Sequence, residues 1–103
     1  MAEPRPADSP RLIVLHPLDT VAVALAPLHP GTPVTASRAA DDIRLVASSL
    51  IPFGHKIAIL PMAAGEPVIK YGEVIGIVTV SIKSGEHVHV HNVRSDRAGA
   101  DRG

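Results

Sequence analysis

Four of the six histidines in this chain fall in two short segments where their spacing has chemical meaning. Glu86-His87-Val88-His89-Val90-His91-Asn92 alternates imidazole with valine. In an extended chain, residues i, i+2 and i+4 project to one face. His87, His89 and His91 would then line one side of a strand, with Val88 and Val90 on the other. Neutral imidazole is a ligand for zinc, iron and other borderline divalent ions. Two such histidines, joined by a third from another segment, make a divalent-metal site. The same pattern also describes a solvated strand face whose polar side happens to be histidine. The second segment, Gly54-His55-Lys56, puts an imidazole at the entry to an apolar stretch. A rigid strand there would hold an accessible group. It would suit a ligand, a general acid or base near neutral pH, or a binder of carboxylate. A plain turn histidine is the alternative. His29, beside Pro30, lacks such company and reads as an ordinary surface residue.

Lys70 and Tyr71 form a further candidate pair, between glycines in Gly65-Glu66-Pro67-Val68-Ile69-Lys70-Tyr71-Gly72. The lysine could anchor an anionic substrate and the phenol could donate a hydrogen bond. Alternatively Lys70 guards an edge strand and Tyr71 caps the core. Gly72 and Gly76 match neither a dinucleotide fingerprint nor a P-loop, and no Gly-x-Ser-x-Gly elbow is present, so a serine hydrolase has no support. The absence of cysteine excludes disulfides, thiolate metal sites and a cysteine nucleophile. Ten basic side chains balance ten acidic ones, which removes the electrostatic basis for binding nucleic acid or an anionic membrane. With one tyrosine, one phenylalanine and no tryptophan, base-stacking platforms are not expected either. The apolar runs are too short to span a bilayer, and the first ten residues lack the apolar stretch of a signal peptide. A cytoplasmic location is the expectation.

The elements that would position these groups are mostly strands. At 103 residues the chain supports one domain. Residues 1–11, rich in proline, and 94–103, alternating charge with Ala and Gly, read as disordered tails around a domain over 12–93. Segments 12–15, 21–25, 56–60, 68–71, 74–80 and 87–93 are rich in Val and Ile and bounded by Pro or Gly, the pattern of strands. One segment departs from it: Ile43, Val46, Ala47 and Leu50 recur at helical spacing behind Asp41 and Asp42, which predicts a short helix over 39–47. Three copies of one frame also appear, Leu28-x-x-Gly31-x-x-Val34, Met62-x-x-Gly65-x-x-Val68 and Ile82-x-x-Gly85-x-x-Val88. In each, an apolar residue leads into a tight turn, glycine supplies a positive φ and valine opens the next strand. The expectation is a small, bent, mainly β domain with one short helix. A core of this size gains from oligomerisation or from docking on a larger chain.

In order along the chain, Leu18-Asp19-Thr20-Val21, Ile51-Pro52-Phe53-Gly54-His55-Lys56, Val68-Ile69-Lys70-Tyr71-Gly72 and Gly85-Glu86-His87-Val88-His89-Val90-His91-Asn92 together resemble the N-terminal domain of the altronate/galactarate dehydratase family. The resemblance covers nearly all of the core. It implies a β-clip of the antifreeze-protein-like (SAF) kind. It implies also a lyase that removes water from sugar acids with a divalent metal: iron, with manganese or zinc as alternatives. Much of the machinery in that family lies in a larger C-terminal region. In related enzymes, including sulfolactate sulfo-lyases, the two parts are separate subunits. The resemblance therefore makes this chain similar to a free-standing small subunit with a large dehydratase-like partner and a small hydroxy-acid substrate.

By position, the family's motif residues fall on His55 and His89 as catalytic groups and on Lys70, Tyr71 and Asn92 as substrate-binding groups. The metal would be held by His55, His89 and His91. His87 is left out of that set, since relatives often carry another residue there. The implied chemistry is loss of an α-proton to a base and departure of hydroxide or sulfite from the β-carbon. Two other readings stay open. One is a non-catalytic β-clip module that binds a sugar acid or a partner protein; the other is a homo-oligomer bridged by metal through a purely structural histidine strand.

Overall fold

The computed structural model describes residues 10–95. Among the described residues nine strands form three small sheets: β1 (Arg11–Val14), β2 (Val21–Val23), β3 (Pro33–Arg38), β4 (Asp41–Val46), β5 (Lys56–Ala58), β6 (Pro67–Lys70), β7 (Glu73–Val78), β8 (His87–Val88) and β9 (Val93–Ser95). The sheets run β1-β3-β4, β2-β5-β8 and β6-β7-β9. β1 lies parallel to β3, while the other pairs are antiparallel. The mainly β, bent architecture expected from the sequence is what is found, and it is compatible with a small β-clip. Among the described residues no helix is long and apolar enough to cross a membrane. The tails expected over 1–11 and 94–103 lie outside the described residues, apart from Pro10 and Arg11 at one end and Arg94 and Ser95 at the other.

The helix expected over 39–47 is not formed. That stretch is the β3–β4 hairpin, in register from Pro33↔Val46 to Arg38↔Asp41. Its buried residues are Val34, Ala36, Leu45 and Ala47, a period of two. Val46 and Leu50, which supplied the helical spacing, are 53% and 48% exposed. The connection is Ala39-Ala40, with Ala39 at φ 52°. It lacks the Asn-Gly or Asp-Gly signature by which a tight hairpin is usually read.

The three glycine frames are corners of the fold, and a fourth, Ile51-x-x-Gly54-x-x-Ile57, joins them. All four glycines have positive φ, between 81° and 93°. The corners work in pairs. Leu28 and Ile51 exchange backbone hydrogen bonds, as do Met62 and Ile82. The N–H of each frame's glycine donates to the residue four places before the partner corner: Gly31 to Ala47 O, Gly54 to Ala24 O, Gly65 to Val78 O and Gly85 to Ala58 O. The domain is thus an internal duplication. Ala24, Leu28, Val34, Ala47, Ile51 and Ile57 in one half correspond to Ala58, Met62, Val68, Val78, Ile82 and Val88 in the other. Each set of six lies in its own buried apolar cluster. Dividing a small core into two clusters that share the β2–β5 pairing explains how so few apolar residues hold the corners in place.

Candidate functional site

β5, where the first half runs into the second, and β8, near the end of the second, are neighbours in one sheet. Their register pairs Lys56 with Val88 and Ile57 with His87. Continuing that ladder by one residue sets His55 opposite His89, and residues opposite one another share a face. Backbone bonds hold the His55 corner from both sides: its N–H donates to Pro52 O (3.0 Å), and its carbonyl accepts from Ala24 N (2.8 Å).

The three imidazoles accordingly stack. Ring centroids are 4.6 Å apart for His55 and His89, 5.1 Å for His55 and His87, and 5.2 Å for His87 and His89. His55 Nδ1 and His87 Nε2 are 2.9 Å apart and share one proton in a hydrogen bond. One nitrogen from each of His55, His87 and His89 lies within 4.8 Å of the others. His55 and His87 are half-buried and His89 is exposed. His91 stands beside this group, its ring tilted and 5.4 Å from that of His87. It is not one of the three whose nitrogens converge. The sequence reading that put His87, His89 and His91 on one strand is corrected in its geometry. The strand ends at Val88, and residues 89–92 form a turn that still keeps the three rings together.

Asn92, expected to touch substrate, is 4% exposed. Its Oδ1 accepts from His89 N (3.0 Å) and its Nδ2 donates to His87 O (2.9 Å). Lys70 and Tyr71 lie at the tip of the β6–β7 hairpin, with the Lys70 ammonium 4.5 Å from the Tyr71 ring centroid. They line a concavity of about 90 Å³ walled by Ile13, Val21, Val23 and Leu25, and no histidine borders it. Buried Asp19 also lines it and braces the hairpin tip by accepting from Gly72 N at 2.8 Å. A second concavity, of about 220 Å³, opens beside His89 between Lys56, Ile75, Val88, Val90 and Val93. Sequence reasoning missed Lys56 there. It also set His87 aside, although the alternation from 87 to 91 was the signal that pointed to it.

The donor set suits a first-row divalent ion: three imidazole nitrogens, no carboxylate among them, and one open side at His89. Neutral ligands leave the charge of such an ion uncompensated, which favours an anionic substrate in its remaining positions. Burial, and then the charges of His55, His89 and His91, lower the His87 pKa below its ordinary value of 6.5 and so favour its neutral form. In the unfolded chain His87 regains its ordinary affinity for protons, so the unfolded state binds more of them in mildly acidic solution. Stability is therefore unaffected by this group above pH 6.5 or so and declines as the pH falls below it. Urea unfolding at a series of pH values should show this decline, and His87→Gln should flatten it.

Residues 10–96 match the altronate/galactarate dehydratase SAF domain. The chain is 41% identical over 90 residues to altronate dehydratase of Escherichia coli, a match covering 87% of this chain and 17% of that protein. It is 60% identical over 47 residues to the (2R)-sulfolactate sulfo-lyase subunit alpha of Chromohalobacter salexigens, covering 46% of this chain and 50% of the relative. With the subunit alpha of Paracoccus pantotrophus it is 46% identical over 57 residues, covering 55% of this chain and 85% of the relative. The chain thus spans about a sixth of the dehydratase, and half or more of the two sulfo-lyase subunits. A match that takes in the whole described fold, histidine corners included, means that the chain belongs to the altronate/galactarate dehydratase SAF-domain family.

Proposed function

We propose that this chain is the small subunit of a metal-dependent lyase that eliminates water or sulfite from a hydroxy acid, acting with a separate large dehydratase-like chain. The observation that carries the reading is the convergence of His55, His87 and His89 on a domain whose relatives include a named subunit alpha and a sixth of a dehydratase. His55, His87 and His89 hold the ion, which when bound supplies Lewis acidity toward the acid's carboxylate. Divalent iron, manganese and zinc all accept such nitrogen ligands. His91, exposed beside His87, has a ring nitrogen available to take or return a proton. Lys56, on the wall of the concavity at His89, offers a cation for a second anionic group of the substrate. That concavity is smaller than the ~300–1,000 Å³ of self-sufficient ligand sites. The small volume supports completion of the site by the larger chain.

One feature favours a second reading, a binding module for a sugar acid or a partner protein: Lys70 and Tyr71 face a concavity of their own, apart from the histidines. The test is to co-express the chain with a large dehydratase-like chain and assay the purified pair on altronate and on sulfolactate. Elimination by the pair and by neither chain alone is the expected result. A large chain fully active by itself would leave the binding module.

A further inference from the structure

We infer that Asn92 is the positioning residue of the histidine site, resting on the metal-binding reading above. All four of its polar groups are engaged, and each bond fixes the turn that carries the histidines. Its Oδ1 accepts from His89 N and its Nδ2 donates to His87 O, so a single side chain sets the separation of those two residues' backbones. Its own N–H donates to His89 O (3.1 Å), and its carbonyl accepts from Thr79 N (2.9 Å), which fastens the turn to the end of β7. On the other flank of β8, the Gly85 carbonyl accepts from Ser48 N at 2.9 Å. β8 has only two residues and two register pairs, too few to hold His89 by sheet pairing alone. The amide of Asn92 substitutes for the missing ladder. Being buried and committed, it faces no substrate; it acts on chemistry through the two imidazoles. Asparagine suits the task because it presents a donor and an acceptor on one short, planar group. Aspartate offers acceptors only, and alanine offers neither.

The test uses the full chain and Co2+ as the probe. Groups that orient metal ligands typically contribute about 10–100-fold to affinity. Asn92→Ala is expected to weaken Co2+ binding by at least about tenfold. Asn92→Asp, which keeps the acceptor for His89 N but sets a carboxylate oxygen against His87 O, should do the same. Val34→Ala, a cavity in the other apolar cluster, provides a variant destabilised without disturbing the turn. It should bind Co2+ like the wild type. Affinities of the Asn92 variants equal to that of the wild type, or lowered only as much as Val34→Ala lowers them, would overturn the inference. If Asn92→Ala does not fold, the aspartate variant decides. A wild-type chain that takes up no Co2+ refutes the metal reading instead. The positioning role is then decided by the imidazole NMR shifts of His55, His87 and His89, which must change in both Asn92 variants and would contradict it by staying fixed.

Discussion

Replacing His55 and His89 together by alanine is expected to lower elimination by the assembled pair roughly 10³-fold while leaving the fold intact. The size of the effect reflects what is removed. Loss of positioned acid–base or metal-bound groups typically forfeits about 10²–10⁴ in rate. Here two of three converging nitrogens go at once, leaving His87 with His91 as its neighbour. Structural damage should be small. His89 is exposed, and the backbone bonds of His55 to Pro52 and Ala24 do not involve its ring. Steady-state assays of the co-purified pair, with circular dichroism of the variant chain, check both halves of the statement. Undiminished turnover would remove the histidines from the chemistry and leave them a structural stack.

Gly85→Ala is expected to destabilise the domain more than Gly65→Ala, although the two glycines sit in partner corners of one half. Gly65 and Gly85 lie in the two corners that pair through Met62 and Ile82, and both have a φ of 93°. A Cβ built on Gly65 meets nothing within 4 Å, whereas one on Gly85 runs into the carbonyl oxygen of Val46. Gly65→Ala should therefore report only the strain of a left-handed alanine, about 1–2 kcal/mol. Gly85→Ala adds a backbone collision that no side-chain rotation relieves, and it also displaces the carbonyl that binds Ser48 N. Adding an overpacking penalty of about 1–3 kcal/mol to the strain brings the expected loss to roughly 2–5 kcal/mol. Urea titration of the two variants measures the difference. Equal losses would mean that the corner opens to admit the methyl group without disturbing the β4–β8 approach.

These two cases also show how far the sequence could be read. The glycine frames at 28–34, 62–68 and 82–88 were legible because a tight turn with positive φ nearly dictates glycine. The fourth, at 51–57, departs from the pattern because it opens its next strand with isoleucine where the others have valine. The pairing of corners was beyond reach, since it depends on backbone bonds between segments distant in sequence. The helix expected at 39–47 shows the limit of periodicity. Ile43, Val46, Ala47 and Leu50 fit one helical stripe, yet Ala36, Leu45 and Ala47 fit a strand face equally well. Only the pairing of β4 with β3 chooses between them.

At the site, alternation brought out His87, His89 and His91 and the Gly-His-Lys segment brought out His55, whereas the resemblance pointed to His55, His89 and His91 as ligands and set His87 aside. Their convergence across the β5–β8 register could not be read from either segment alone. Asn92 was visible as a motif residue, but its burial beneath the turn was not. Lys70 and Tyr71 were expected to bind substrate, and the fold gives them a concavity that no histidine borders.

The proposed function requires that His55, His87 and His89 hold one divalent ion. The most direct measurement is a Zn2+ titration of the ¹⁵N-labelled full chain, followed through the imidazole nitrogen resonances. One equivalent should shift the ring signals of His55, His87 and His89 and leave those of His16 and His29 unchanged. Absence of any shift in those three, or shifts spread evenly over all the histidines, would contradict it.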